Sequence, residues 1–202
     1  MSAKDTKEHI IDVAREVFAR KTLANTTMND LAKAADVSRR TIYLYYKNKE
    51  EVYYSVIERE LMILGKRMEA VSRSSLSPEK KLIEVVITRL DSVKEVVQRN
   101  GNLRAYFFRD IWQVEKARRN YDKAEIELFK SILQEGVSRG DFRVDDTEIA
   151  AQLLHYCLKG IEVPYIRGNI GPDMDIRRRK RTIAAIIFGA LHYDEDVNKM
   201  QL

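Results

Sequence analysis

Residues 26–52 read TTMNDLAKAADVSRRTIYLYYKNKEEV, and the capping and apolar side chains in this stretch decide the fold. Thr27 and Asp30 stand three apart, a capping-box-like spacing that predicts a short helix carrying Met28, Leu31, Ala32 and Ala35 inward. Asp36 and Val37 break that helix. Ser38 is a good N-cap for a second short helix ending near Tyr46, because its hydroxyl can accept an otherwise orphaned backbone N–H. Asn48 and Glu51 repeat the capping spacing and open a longer helix to about Ala70. Two short helices joined by a tight turn match helix-turn-helix geometry, in which the second helix enters the major groove of DNA.

The chemistry of the second helix suits that placement. Val37, Ile42 and Tyr46 can face the preceding helices, which leaves Arg39, Arg40, Thr41, Leu44 and Tyr45 pointing outward. Arginine bonds the O6 and N7 acceptors of guanine through two donors, and threonine or tyrosine can bond phosphates or bases. Lys47 and Lys49 follow beside the backbone N–H groups of a helix N-terminus, an arrangement that holds phosphate. A generic helical hairpin with solvated arginines is the plain competing reading. Agreement of apolar spacing, caps and donors along the whole stretch argues against it.

Working outward, residues 6–20 form an amphipathic helix with Ile10, Ala14, Val17 and Phe18 on one face. Residues 72–78 (SRSSLSP) read as a linker, with Ser77 and Pro78 restarting the chain as N-cap and first helical residue. Further helices are expected at 78–99, 103–112, about 114–138, from Asp145 or Asp146 to about Tyr165, and about 174–194. The fold class is therefore all-α, with about nine helices. A three-helix DNA-binding domain is expected over 1–50 and a helical-bundle domain for ligand binding and dimerisation over 51–202. Only 8 Gly and 3 Pro are present, too few for an all-β chain rich in turns. The net charge of +5 permits a polyanionic partner without requiring one. The single cysteine, Cys157, fits a reducing compartment, and no stretch reads as a signal core or membrane span, so a soluble cytoplasmic protein is expected.

Residues 26–52, with helix 1 leading into them, resemble the DNA-binding signature of the TetR family of transcriptional regulators. The resemblance is close over about residues 6–55, a quarter of the chain, and beyond that extends only to helix layout. It implies a homodimer on a double-stranded operator, with a ligand-sensing C-terminal domain and repression as the family habit. By the resemblance Thr27 anchors phosphate, Arg39, Arg40 and Thr41 read bases or nearby phosphates, and Tyr43, Tyr45 and Lys49 grip the backbone. Ser38 and Lys47 complete the expected DNA-contacting set. The chain departs from the family where glycine is frequent, at Thr22, Asp36 and Arg40, and carries Tyr46 where phenylalanine is common. Aspartate tolerates the left-handed backbone better than most residues. Arg40 adds a long donor and should change the operator rather than the docking mode. The Tyr46 hydroxyl falls near a core position and needs a partner.

Tyr106, Phe107, Trp112, Tyr121, Phe129 and His155 are candidates to line a pocket for an unidentified small-molecule effector, although such stripes are more often plain core. Leu154, Leu158, Ile161, Ile183, Ile187 and Ala190 are candidates for the dimer interface. A ligand between the helices at 78–99 and 146–165 would tilt the helix at 49–70 and change the separation of the two reading heads. A competing possibility is the same fold without small-molecule sensing, working through protein partners. No phosphate-cradling loop, zinc-binding His-Glu-x-x-His or nucleophile elbow is present, so neither an enzyme nor a cofactor or metal site is expected. Glu125 and Glu127, like Asp145 and Asp146, read as surface or capping carboxylates. The run Arg177 to Arg181 reads by default as a solvated, partly ion-paired face, with an acidic ligand, a membrane surface or a partner chain's carboxylates as the alternatives.

Overall fold

A computed structural model describes residues 3–99, 111–170 and 175–191. Eight helices lie among them: α1 (Ala3–Arg20), α2 (Met28–Ala34), α3 (Arg39–Tyr45), α4 (Lys49–Ser72), α5 (Pro78–Arg99), α6 (Ile111–Arg139), α7 (Thr147–Ile166) and α8 (Ile176–Leu191). The all-α expectation holds. The helix expected at 103–112 falls almost wholly outside the described residues. Its expected separation from the next helix does not survive, because α6 already begins at Ile111. Nothing in Ile111-Trp112-Gln113-Val114 breaks a helix.

The chain divides into two compact units. The first runs to Ile63 and includes the described part of 94–121, and the second comprises 64–93 and the described part of 122–202. In the first unit α1 supplies Ile10, Ala14 and Phe18, four residues apart and all almost fully buried. Leu31 and Ala32 of α2, Ile42 of α3 and Val52, Tyr53 and Val56 of α4 close the same core. The Phe18 and Tyr53 rings meet edge to face at 5.6 Å.

The turn between α2 and α3 has a specific backbone solution. Asp36 adopts φ +49°, while Val37 N–H donates to Ala32 O at 3.0 Å and Asp36 N–H to Lys33 O at 3.3 Å. Those two bonds satisfy the last carbonyls of α2 and turn the chain sharply into Ser38. The tolerance expected of aspartate is used here.

In the second unit Leu82, Val85, Val86 and Leu90 of α5 and Phe129, Ile132 and Leu133 of α6 are buried, as are Ala151 and Leu158 of α7. Pro78 opens α5 after Ser77, as the linker composition predicts. Asp146, rather than Asp145, caps α7 by accepting from Glu148 and Ile149 N–H. α6 stops at Gly140 (φ +77°), where Asp141 N–H folds back onto Gly136 O at 2.8 Å. Gly136 is required there, since a Cβ would fall 2.1 Å from the Phe142 ring. No described helix is long and apolar enough to cross a membrane.

Candidate nucleic-acid interface

The outward face of α3 follows from a single anchor. Ile42 is fully buried, and at about 100° per residue Arg40 and Leu44 lie on the opposite side of the helix. Arg39, Arg40, Tyr43 and Leu44 are exposed. The Arg39 guanidinium lies 5.8 Å from the centre of the Tyr43 ring, one helical turn along, so the two side chains share a flank. Thr41 and Tyr45 are drawn back. Tyr45 packs, partly buried, against the core because it follows Ile42 by three residues on the inner side. This differs from the outward position expected for it.

Three local caps hold this face in place. Ser38 Oγ accepts the Thr41 N–H at 3.0 Å, and the two hydroxyls lie 2.7 Å apart, so one hydroxyl proton remains for an outside acceptor. Thr27 and Asp30 form the full reciprocal box at the start of α2. The Thr27 N–H and hydroxyl both donate to Asp30 Oδ2 at 2.9 Å, and Asp30 N–H returns to Thr27 Oγ1. Those bonds, above all the one from the Thr27 backbone, hold the Asp30 carboxyl below its ordinary value, with Lys21 adding to the effect. The Thr27 hydroxyl proton is thus committed within the protein. Asn48 Oδ1 accepts the Glu51 N–H at 2.9 Å, but Glu51 reaches past Asn48 to the Lys47 N–H at 2.7 Å. Each such cap stabilises its helix by about 1 kcal/mol.

The two lysines differ. Lys47 is exposed, whereas Lys49 Nζ donates to Ala24 O at 3.1 Å, across 25 residues of sequence. That bond fixes an ammonium beside the loop leading to Thr27, with two of its three donors left over. Sequence spacing carries no signal for it.

Residues 10–56 match the model of the bacterial regulatory proteins of the tetR family. The chain is 28% identical over 196 residues to the HTH-type transcriptional regulator AcrR of Shigella flexneri, covering 92% of this chain and 88% of that one. Residues 10–56 therefore carry a DNA-binding domain of the TetR type. Two solved structures share the fold. One is a transcriptional regulator from Cytophaga hutchinsonii, with a TM-score of 0.73 and 22% identity, covering 92% of this chain and 98% of that one. The other is FadR from Bacillus subtilis in complex with stearoyl-CoA, with a TM-score of 0.68 and 20% identity, covering 92% and 99%. At those identities the likeness is one of fold. Within the matched residues, α2 and α3 form the helix-turn-helix.

The pocket candidates distribute as follows. Tyr106 and Phe107 lie outside the described residues, as does the side chain of Trp112. Tyr121 packs partly buried in the core of the first unit. Phe129 is fully buried in the second. His155 is buried too, with Nδ1 2.5 Å from Glu125 Oε2 and Nε2 3.9 Å from Asp122 Oδ2. Glu125, expected at the surface, is 2% exposed. Arg89, itself without exposed surface, explains this by donating from Nε to Glu125 at 2.6 Å and from NH2 to Glu162 at 3.3 Å. Lys159 donates to Asp122 at 3.1 Å. Charges taken out of water survive only when paired in this way. Helical periodicity could not reveal the cluster, because its members come from α5, α6 and α7.

Of the interface candidates, Leu158 and Ile187 are buried within the protomer, Leu154 and Ile183 are half-buried, Ile161 is exposed, and the side chain of Ala190 lies outside the described residues. The apolar side chains that α7 leaves in solvent are chiefly Ile149, Leu153 and Tyr156, at 55–60% exposure, and α8 leaves Ile186. Arg177, Arg178 and Arg181 are exposed in α8.

Proposed function

We propose that this protein is a TetR-family repressor that binds a near-palindromic operator as a homodimer and leaves it when a small apolar or amphipathic molecule enters its C-terminal helices. One observation carries the DNA-binding mode. Arg39 and Arg40 project from a capped helix whose opposite side is locked into the core by Ile42. Arg39, Arg40 and Thr41 read bases or adjacent phosphates, while Ser38, Tyr43, Lys47 and Lys49 position the backbone. Thr27 acts by capping α2, and its contact with phosphate is confined to accepting through water or to its neighbours' N–H groups. Two copies related by a two-fold axis put their α3 helices one DNA turn apart, about 34–36 Å.

The stripe Ile149, Leu153, Tyr156 and Gly160 supports pairing between copies along α7. Spacings of four, three and four keep these residues on one side, opposite the buried Ala151, His155, Leu158 and Glu162. A Cβ on Gly160 would meet nothing within 4 Å, which leaves room for a second helix to approach.

For effector release, support comes from the solved FadR relative with its bound stearoyl-CoA and from α4, one unbroken helix from Lys49 to Ser72 that enters both units. The full burial of Phe129 favours the second reading, a regulator that answers to protein partners.

Selection of bound sites from random duplexes tests the proposal. The expected result is a palindrome whose base preference relaxes in Arg39→Ala and Arg40→Ala. Enrichment of no sequence, or of an unpaired half-site bound by a monomer, would refute it.

A further inference from the structure

Leu44 has a larger exposed fraction than any other large hydrophobic side chain among the described residues, 75%. A lone exposed leucine on a protein surface is ordinary. Its position is the unusual part. Leu44 stands four residues after Arg40 on the side of α3 directly opposite Ile42, the side turned away from the core. Both flanks of this face are occupied, Arg39 and Tyr43 on one and Thr41 with Ser38 on the other. The face therefore presents a long bidentate donor and, one turn later, an aliphatic group with no polar function.

The major groove offers one apolar feature on its base edges, the C5-methyl of thymine. We propose that Leu44 reads a thymine methyl and is a specificity-determining residue of this regulator. The inference rests on the DNA-binding reading above and extends it to one base. One turn of helix advances about 5.4 Å and one base pair about 3.4 Å. The thymine should thus lie one or two base pairs from the pair contacted by Arg40.

The test uses the full-length protein and a duplex obtained by site selection, with deoxyuridine replacing thymidine one position at a time. This change removes the methyl and nothing else. For the natural chain, one thymine per half-site should show about fourfold weaker binding on replacement, the equivalent of about 0.8 kcal/mol for one methyl-sized group. Leu44→Ala should bind the thymine duplex several-fold more weakly and show less than about 1.5-fold discrimination at that position. Its salt dependence and its preference at the Arg40-contacted pair should be unchanged. Uniform tolerance of uracil by the natural chain would overturn the role of Leu44 while leaving DNA binding intact, as would a uracil penalty that persists in Leu44→Ala. Absence of any selected duplex would overturn both readings together.

Discussion

Tyr46→Phe isolates one departure from the family pattern, and its sign can be worked out beforehand. Tyr46 is 3% exposed in the core under α3, and its hydroxyl is buried without a hydrogen bond of good geometry. Burial is the main reason its phenol is raised above the ordinary 10.0; the Ser55 side chain works against the shift, and Glu8 and Glu58 add to it. A buried hydroxyl left unsatisfied costs about 1–3 kcal/mol. Phenylalanine removes that cost and keeps the ring, which lies 5.8 Å beneath the Lys7 ammonium. With a discount for Ser55, the variant should be more stable by about 1 kcal/mol. Urea unfolding followed by far-UV circular dichroism, at one fixed protein concentration, reads the difference. A second arm uses pH. A tyrosine whose folded pKa is raised contributes stability that is full below its unfolded value and is lost as pH rises through the folded one. The advantage of Tyr46→Phe should therefore widen above pH 10. A variant less stable by more than about 0.5 kcal/mol, or a gap that narrows with rising pH, would show that the hydroxyl has a good partner and that this reading of the core is wrong.

At the interface, Arg40→Ala should cost about 1–3 kcal/mol on the selected operator and relax preference at one base pair, as read by titration against single-pair variants. Lys49→Ala should weaken all duplexes alike and lower the salt slope by about one, and a change in base preference would contradict the positioning role. Arg89→Met removes the buried cation that two carboxylates with almost no exposed surface share, and it should destabilise the chain by about 3–5 kcal/mol in chemical unfolding. A loss below about 1 kcal/mol would mean that water reaches the cluster. Leu153→Glu should leave the fold intact and give monomers in sedimentation, whereas Leu158→Arg should impair folding itself; dimers from the first would move the interface elsewhere. The Asp30 carboxyl is held below its ordinary 3.8, so its contribution to α2 is present above that value and lost as pH falls below it. Amide protection in α2, taken relative to the intrinsic exchange rate at each pH, should fall there, and Asp30→Asn should lessen that acid dependence.

What was legible in the sequence was local chemistry. Thr27 with Asp30, Ser38, and Asn48 with Glu51 each declare a helix start through bonds made within three or four residues, and all three caps are present. Asp36 marks the turn for the same reason. What was illegible depends on partners far along the chain. Glu125 looks like any solvent-facing carboxylate of an amphipathic helix until Arg89, 36 residues earlier, is brought against it. Lys49 reads as a free cation until it meets the Ala24 carbonyl. Tyr45 illustrates an intermediate case. Its outward position was inferred from the spacing of Val37, Ile42 and Tyr46, yet the arc of so short a helix leaves little room between inside and outside.

The same limit explains α7, where apolar residues occupy more than one face and periodicity alone cannot say which face turns inward. The structure decides by burying His155 and Glu162 against Arg89 and Glu125, and that choice forces Ile149, Leu153 and Tyr156 outward. Hydrophobic burial of one such side chain is worth about 1.5–3 kcal/mol, and just over half of each remains to be gained from the observed exposure. A two-fold pairing counts every contact twice. Six side chains then supply about 5–10 kcal/mol, within the range of about 4–15 kcal/mol that association costs. In the proposed dimer the α7 stripe brings a pair of chains close to balance and leaves little surplus, and Ile186 of α8 is a further exposed apolar side chain that could add to it. For the same reason one glutamate at Leu153 should be enough to separate the copies, and with them the paired reading heads that a palindromic operator requires.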